Sequence, residues 1–371
     1  MSETVIVGGG IIGCATAYEL LRKGRSVTLL EARELGAGGS SRNGGGVRQS
    51  ARDNRELPLA MHAVRNRWPK LSEELRFDLE YVCQGNLRLA RRQEHLAHLE
   101  AIVERSSREG LEVEMVEGNR VREICPPVDE GVIGASWCPT DGHANPMRTT
   151  LAYGIRAREL GGRIETGVEV TRIRRERGKV TGVESTGGFY PCDTLILACG
   201  LQTNRLLRSL GLSIPMVGRT VEVVVTDEQK RSFDQMLGTA ASDFYGHQTA
   251  HGSFVFGGMS GLEPFLAPED PNRNHPLTAS AISRAVLDYF PFLETAQVVR
   301  SWAGELAVSA DGVPVISRVE SVEGLVIATA FSGHGFGIAP AVGESVAALA
   351  AGERPPVCLE PFGYDRFAAR V

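Results

Sequence analysis

Residues 5–13 read Val-Ile-Val-Gly-Gly-Gly-Ile-Ile-Gly, and an acid, Glu31, follows 23 residues after Gly8. The apolar run Thr4–Val7 is a strand that must turn at Gly8. Gly10 lets backbone N–H groups approach a pyrophosphate, and Gly13 lets the next helix pack close to the strand. That helix is expected over about Ile11–Lys23, with Ile12, Ala15, Leu20 and Leu21 among its apolar positions and Gly24 as its stop. Its free N–H groups and dipole favour an anion. Ser26–Glu31 is the second strand, and Glu31, followed by Ala32 and Arg33, sits where an acid accepts hydrogen bonds from ribose hydroxyls. The pattern predicts a site for an ADP-containing dinucleotide. An acid rather than an arginine at this point argues against NADP and leaves NAD and FAD open.

A chain of 371 residues is too long for one simple core, so two domains are expected. Apolar residues make up 42% and charged residues 23%, an ordinary globular balance, and no apolar stretch reaches the length of a membrane span. A net charge of −5 gives no reason to expect nucleic acid as a partner. The apolar N-terminus lacks a basic leader, and its glycines fall in fingerprint register, so it reads as a strand rather than a signal peptide. The seven cysteines form no C-x-x-C pair, which points to reduced, mostly buried thiols in a cytoplasmic protein and to no metal site. His95 and His98 share one face of a polar helix and read as solvated.

Beyond Glu31 the loop Ala37–Arg48 is rich in glycine and can wrap a ligand. Helices are expected at Leu57–Leu75, Gln93–Arg108, Met147–Leu160 and Ala279–Tyr289. A strand pair is expected at Tyr81–Ala90, and strands at Leu111–Val116, Arg163–Glu165, Glu169–Glu176, Val180–Ser185, Thr220–Thr226, Ser253–Gly257, Arg300–Gly304 and Val313–Ile316. Thr194–Cys199 has the continuous apolar character of a central parallel strand. Asp141–Pro146 reads as a turn and Leu262–Pro276 as a surface loop. Leu325–Thr329 runs through Phe331–Gly337 into a helix of small residues, Ala339–Ala351, a second strand–glycine turn–helix unit. The chain is thus α/β, with residues 1–80, 145–205 and 300–371 forming a discontinuous nucleotide domain. Residues 81–144 and 206–299 form a strand-rich substrate domain.

Several segments, in order along the chain, resemble the D-amino-acid-oxidase-like flavoproteins, which include glycine and sarcosine oxidases and the flavin subunits of opine, proline and hydroxyproline dehydrogenases. They are Gly8–Gly13 with Glu31, Gly39-Ser-Ser-Arg-Asn-Gly-Gly-Gly-Val-Arg48, Leu197-Ala-Cys-Gly200, Trp302-Ala-Gly304 with Asp311-Gly-Val-Pro314, and Ser332-Gly-His-Gly-Phe-Gly337. The resemblance implies FAD in a glutathione-reductase-type Rossmann-like domain, beside a mixed or antiparallel sheet that holds the substrate. It implies that Gly8–Gly13 holds the pyrophosphate, that Glu31 holds the ribose, and that Val170 meets the adenine. Ala198, Cys199 and Gly200 close the cofactor site, and Gly304 adjoins it. Ser40, Ser41, Arg42, Asn43, Gly44, Gly45 and Gly46, together with Gly333, His334, Gly335, Phe336 and Gly337, frame the isoalloxazine. The implied reaction is oxidation of a C–N bond by hydride transfer to flavin N5, giving an imine that hydrolyses.

Candidates for the substrate side are Arg48, Tyr245, His247, Trp302 and His334. Arg48 has a guanidinium suited to a carboxylate. Strand alternation separates His247 from Gln248. Three departures from relatives stand out. Glu305-Leu306-Ala307 holds no arginine, Gly337 stands where monomeric sarcosine oxidases have a lysine used with oxygen, and no cysteine lies near 302–305 to attach flavin. Non-covalent FAD is therefore expected, with either oxygen or a protein or quinone as electron acceptor. The substrate is expected to be a small amino acid or secondary amine. Two alternatives are a flavin subunit needing a second chain and a 2-hydroxy-acid dehydrogenase in which Tyr245 or His247 serves as base.

Overall fold

A computed structural model describes residues 3–259, 261 and 274–370. Most of the expected loop Leu262–Pro276 lies outside the described residues. Glu3–Val7 forms the centre of a six-stranded sheet, flanked by Ser26–Glu31 and Arg163–Thr166 on one side and by Thr194–Leu197, Leu325–Thr329 and Val315–Arg318 on the other. All neighbours are parallel except the edge strand Val315–Arg318. Buried helices explain the strands' unbroken apolar runs. The first helix, Ile11–Arg22, lies against the last, Gly335–Ala351, so closely that a Cβ on Gly343 would stand 2.7 Å from Ala15 Cβ.

The second sheet has eight strands, in the order Val298–Ser309, Met216–Glu228, Ser253–Gly258, Phe244–Gln248, Met236–Thr239, Asn86–Ala90, Gly134–Cys138 and Glu114–Glu117. Its pairs are antiparallel except Met236–Thr239 with Asn86–Ala90. One face packs Leu87, Leu237, Val224, Phe256 and Phe244 against the helix Pro276–Tyr289. The opposite face looks toward the glycine-rich loop.

Several elements differ from expectation. Val298–Ser309 falls mostly within the block 300–371 but is paired along its length with Met216–Glu228 in the larger sheet. Tyr81–Ala90 is one strand, Asn86–Ala90, preceded by a bridge from Val82 to His143. Leu57–Leu75 is helical throughout but widens to a π-turn at Ala63–Arg67, where Pro69 ahead has no N–H for a regular ladder. The last helix starts at Gly335, so three residues expected in a turn form its first turn, and Pro340 lies inside it rather than at its start. His95 is 9% exposed and bonded to Arg92, not solvated.

Candidate functional site

The first strand's turn leaves no room for side chains. Gly8 has φ +112°, and a Cβ there would lie 2.5 Å from the Ala198 carbonyl oxygen; a Cβ on Gly13 would lie 1.9 Å from the Gly8 oxygen. Gly10 caps the first helix without a side-chain bond, and no acid occupies its first turn. The Ile11 N–H donates to Ser40 Oγ at 2.9 Å, while Ile12 is buried. Glu31 accepts from the Gly9 and Arg33 N–H groups at 2.7 and 2.9 Å, with Ala32 and Arg33 exposed beside it. Ala198, Cys199 and Gly200 follow the next strand over. Burial pushes the Cys199 thiol up to about 11, which leaves it neutral. Val170 is buried, and its carbonyl accepts from Arg205.

The glycine-rich loop binds itself into shape. Ser41 donates to the Gly36 carbonyl, Asn43 Nδ2 donates to the Ser40 carbonyl, and the Gly45 N–H donates to Asn43 Oδ1. Arg42 donates to the Ala303 carbonyl, Trp302 Nε1 donates back to the Arg42 carbonyl, and a Cβ on Gly304 would press on Arg42 at 2.9 Å. A Cβ on Gly44 would sit 2.6 Å from the Tyr245 ring, and one on Gly337 would sit 2.9 Å from the Gly46 oxygen. Gly333 has φ +87°, and the helix from Gly335 begins with no side-chain cap and no first-turn acid. Phe336 turns its ring edge-on to Trp68, so only its backbone is available at the site. Two helix starts whose own cap residues supply no side-chain bond, and a loop cleared of side chains on both flanks, fit an extended dinucleotide whose anionic edges meet N–H groups.

Across the larger sheet, strand register sets the other wall. Ser136 pairs with Arg88, Arg88 with Gly238, Gly238 with Tyr245, Tyr245 with Gly257, Gly257 with Val223, and Val223 with Trp302. Directly paired residues share a face, so Arg88, Tyr245 and Trp302 lie in one lateral row above the loop. The next row holds Asn86, Met236, His247 and Val255. His247 stacks on His143, with ring centroids 3.8 Å apart at 22°. Burial depresses both imidazoles, His143 to about 4, so both are neutral at pH 7. Gln248, on the other face, is spent on the carbonyls of Gln229, Lys230 and Gly252. A cavity of about 680 Å³ lies between loop and sheet, lined by Ser41, Gly44, Tyr81, His143, His247 and Trp302 among others.

Arg48 stands between this face and the last helix, whose Gly337 abuts the Arg48 backbone N. Its contact with the Ser50 carbonyl is long, 3.5 Å, and it has no carboxylate within ion-pair distance among the described residues. Burial raises the Tyr245 phenol above its usual range against the pull of Arg48 and Gly44, so Tyr245 is a neutral hydroxyl.

Sequence reading missed five residues here. Arg52 donates to the Arg48 carbonyl at 2.7 Å, to Glu56 at 2.9 Å and to the His334 carbonyl at 3.1 Å, and its pair with Glu56 is almost fully buried. Glu56 also lies 3.4 Å from His334 Nδ1. Burial pushes the Glu56 carboxyl up, but His334 and Arg52 carry it below its ordinary value. Burial lowers His334 as well. Asp141 accepts from the Gln49 and Ser50 N–H groups and from the Ser50 hydroxyl, fixing the backbone after Arg48. The four-residue spacing of Arg48, Arg52 and Glu56 was the available signal. Arg88, Asp141 and His143 carried none.

The profile described as "DAO: FAD dependent oxidoreductase" matches residues 3–349. The chain is 28% identical over 379 residues to the sarcosine oxidase subunit beta of Rhizobium meliloti, covering 98% of this chain and 88% of the relative. It is 27% identical over 383 residues to the glycine oxidase of Geobacillus kaustophilus, covering 100% and 98%. The crystal structure of L-proline dehydrogenase from P. horikoshii superposes with a TM-score of 0.91 at 30% identity, covering 99% of this chain and 98% of that one. No helix among the described residues is long and apolar enough to cross a membrane. With the fingerprint, the glycine loop and the second glycine–helix unit assembled around one cradle, the chain belongs to the DAO family of FAD-dependent oxidoreductases.

Proposed function

We propose that this chain oxidises the C–N bond of a small amino acid or N-substituted glycine, with glycine, sarcosine, proline-like and N-carboxymethyl amino acids in range. The observation that carries the reading is Arg48, an enclosed guanidinium with no carboxylate within ion-pair distance among the described residues, held beside Tyr245 over Gly44–Gly46. A carboxylate is the natural partner for that fork, and its capture would set the adjacent C–H over the ring.

Bound FAD supplies the hydride acceptor at N5. Gly8–Gly13 would hold its pyrophosphate, Glu31 its ribose and Val170 its adenine end. The loop Ser40–Gly46 and Gly333–Gly337 would hold the ring. N–H groups of the last helix's first turn would face the edge that becomes anionic on reduction. The Arg48 charge would favour loss of a proton from the bound ammonium, as amine oxidation requires. Arg52 would position Arg48 and His334 rather than touch substrate, and Trp302 would form a side wall. Residues around the six-stranded sheet would then form the cofactor domain, and the larger sheet the substrate domain. Relatives named as β subunits favour a second reading of assembly, in which another chain accompanies this one.

The test is anaerobic mixing of the FAD-loaded protein with a panel of amines and 2-hydroxy acids. Bleaching at 450 nm by amino acids alone is expected; bleaching by hydroxy acids alone sinks the reading. Arg48→Ala should weaken the reaction about 30-fold or more with flavin content unchanged. Lost flavin would reassign Arg48 to the cofactor. Re-admission of oxygen then separates oxidase from dehydrogenase.

A further inference from the structure

Arg88 is a second arginine in the same region that the reading above leaves without a task. It lies on Asn86–Ala90, deep in the molecule and keeping only partial accessible surface. Its Nη1 reaches the Thr239 carbonyl at 3.3 Å, while its Nε is buried without a partner. Neither Arg88 nor Arg48 has a carboxylate within ion-pair distance among the described residues. An enclosed cation without a counter-ion is costly and invites an anion.

Lateral register places Arg88 one strand from Gly238 and two from Tyr245 on the same face. Gly238 leaves a gap between them: a Cβ built there would find nothing nearer than Arg88 Nη2, at 3.9 Å. By contrast, Gly257 on Tyr245's other side is filled by the Tyr245 ring itself, 2.4 Å from such a Cβ. The row is therefore open over Gly238, with the Arg88 guanidinium at the edge of the gap and the Tyr245 ring turned away from it over Gly257.

The charges around this opening give the ligand's valence. Arg52 and Glu56 cancel as a buried pair. His143 and His247 are neutral through burial, as is His334. Outside the Arg52–Glu56 pair, the one carboxylate among the described residues that acts on both Arg48 and Arg88 is Asp141, whose oxygens are taken up by the Gln49 and Ser50 donors, and one net positive charge is left. An amino acid with one carboxylate arrives as a neutral zwitterion, whereas one with two carboxylates arrives with a net charge of minus one.

Resting on the amine-oxidising reading above, we propose that Arg88 binds a second carboxylate, and that the substrate is an amino acid bearing two carboxylates. One carboxylate engages Arg48 beside the cofactor, and the other crosses the Gly238 gap to Arg88.

The test uses FAD-loaded protein and chemically matched pairs: iminodiacetate against sarcosine, and glutamate against norvaline. The dicarboxylate of each pair is expected to reduce the flavin with the higher second-order rate constant. Arg88→Met should lower the dicarboxylate-to-monocarboxylate ratio about 30-fold or more, with Arg88→Lys in between. Gly238→Val, which fills the gap without removing charge, should lower the same ratio. A wild-type ratio at or below one, or a ratio that neither Arg88→Met nor Gly238→Val changes, overturns the proposal while leaving amine oxidation standing. If no amine reduces the flavin, amine oxidation fails, and Arg88 is judged by binding alone. Glutarate should then perturb the flavin spectrum at lower concentration than butyrate, and Arg88→Met should erase the difference. Equal responses to the two acids overturn the assignment.

Discussion

The two sheets border the same site but prepare it by opposite means. On the six-stranded side the ligand surface is backbone: Gly8, Gly13, Gly44 and Gly337 matter because any side chain would collide with a neighbour. On the eight-stranded side it is side chains, with Arg88, Tyr245 and Trp302 set in a row by strand pairing and His247 on the row beside it. A surface of N–H groups would suit a cofactor that never changes. A surface of side chains can be re-specified residue by residue without disturbing the turn chemistry opposite.

The largest effect should come from breaking the backbone side. Gly13→Ala puts a Cβ 1.9 Å from the Gly8 oxygen, so the turn and the helix start cannot both keep their places. Loss of bound FAD and of about 3 kcal/mol or more of stability is expected, read from the 450 nm absorbance and from urea unfolding. Gly24→Ala is the control. Gly24 also has positive φ, +71°, but nothing lies within 4 Å, so a strain of about 1 kcal/mol with FAD retained is expected. A Gly13→Ala protein that still binds FAD would mean that the cradle is not built on excluded side chains.

This difference in construction also governs what could be read from sequence. A glycine required by a turn is local: Gly8, Gly10, Gly13 and Glu31 keep fixed spacing because one strand, one turn and one helix dictate it. The parallel, central character of Thr194–Leu197 was legible in its unbroken apolar run. The row Arg88–Gly238–Tyr245–Gly257–Val223–Trp302 joins residues more than 200 positions apart and depends on the register of six strands. A one-residue slip in any of them would send its side chain to the other face. Tyr245 and Trp302 were reachable only by family likeness, and Arg88 and His143 by nothing at all. Nothing in Arg52-Asp-Asn-Arg-Glu56, a uniformly polar stretch, marks Arg52 and Glu56 as buried beyond their four-residue spacing.

The substrate-side wall should also announce itself through pH. His143 Nε2–H donates to the Asp234 carbonyl, and the ring stacks on His247 and lies near Arg231; burial is the main force lowering it to about 4. Its ordinary value is 6.5. Between pH 6.5 and 4 the unfolded chain therefore binds a proton that the folded chain refuses. Stability must fall as pH falls through that window, by roughly 3 kcal/mol in total from this group. His247 acts in the same direction, and Glu56 adds its own loss at lower pH. The informative quantity is therefore the stability gap between wild type and His143→Gln, from urea midpoints at pH 8 and 4.5. The gap should narrow at pH 4.5, and a gap independent of pH would show that His143 is protonated in the folded protein.

The smallest effect, and the finest cut between the two walls, is expected from Tyr245→Phe. The change removes one oxygen from the row and keeps the ring that covers Gly257 and meets Gly44, so packing and the loop's shape should survive. The phenol is raised by burial and stays neutral, so its loss removes a hydrogen bond and not a charge. A hydrogen bond of this kind is worth about 0.5–1.5 kcal/mol, which predicts a 3- to 10-fold lower rate constant for flavin reduction by substrate. FAD content and the unfolding midpoint should match wild type. A collapse by several orders of magnitude, with a pH profile that loses one limb, would instead make Tyr245 a proton-transfer group. The larger sheet would then supply chemistry as well as recognition, and the 2-hydroxy-acid reading, which needs such a base, would regain its footing.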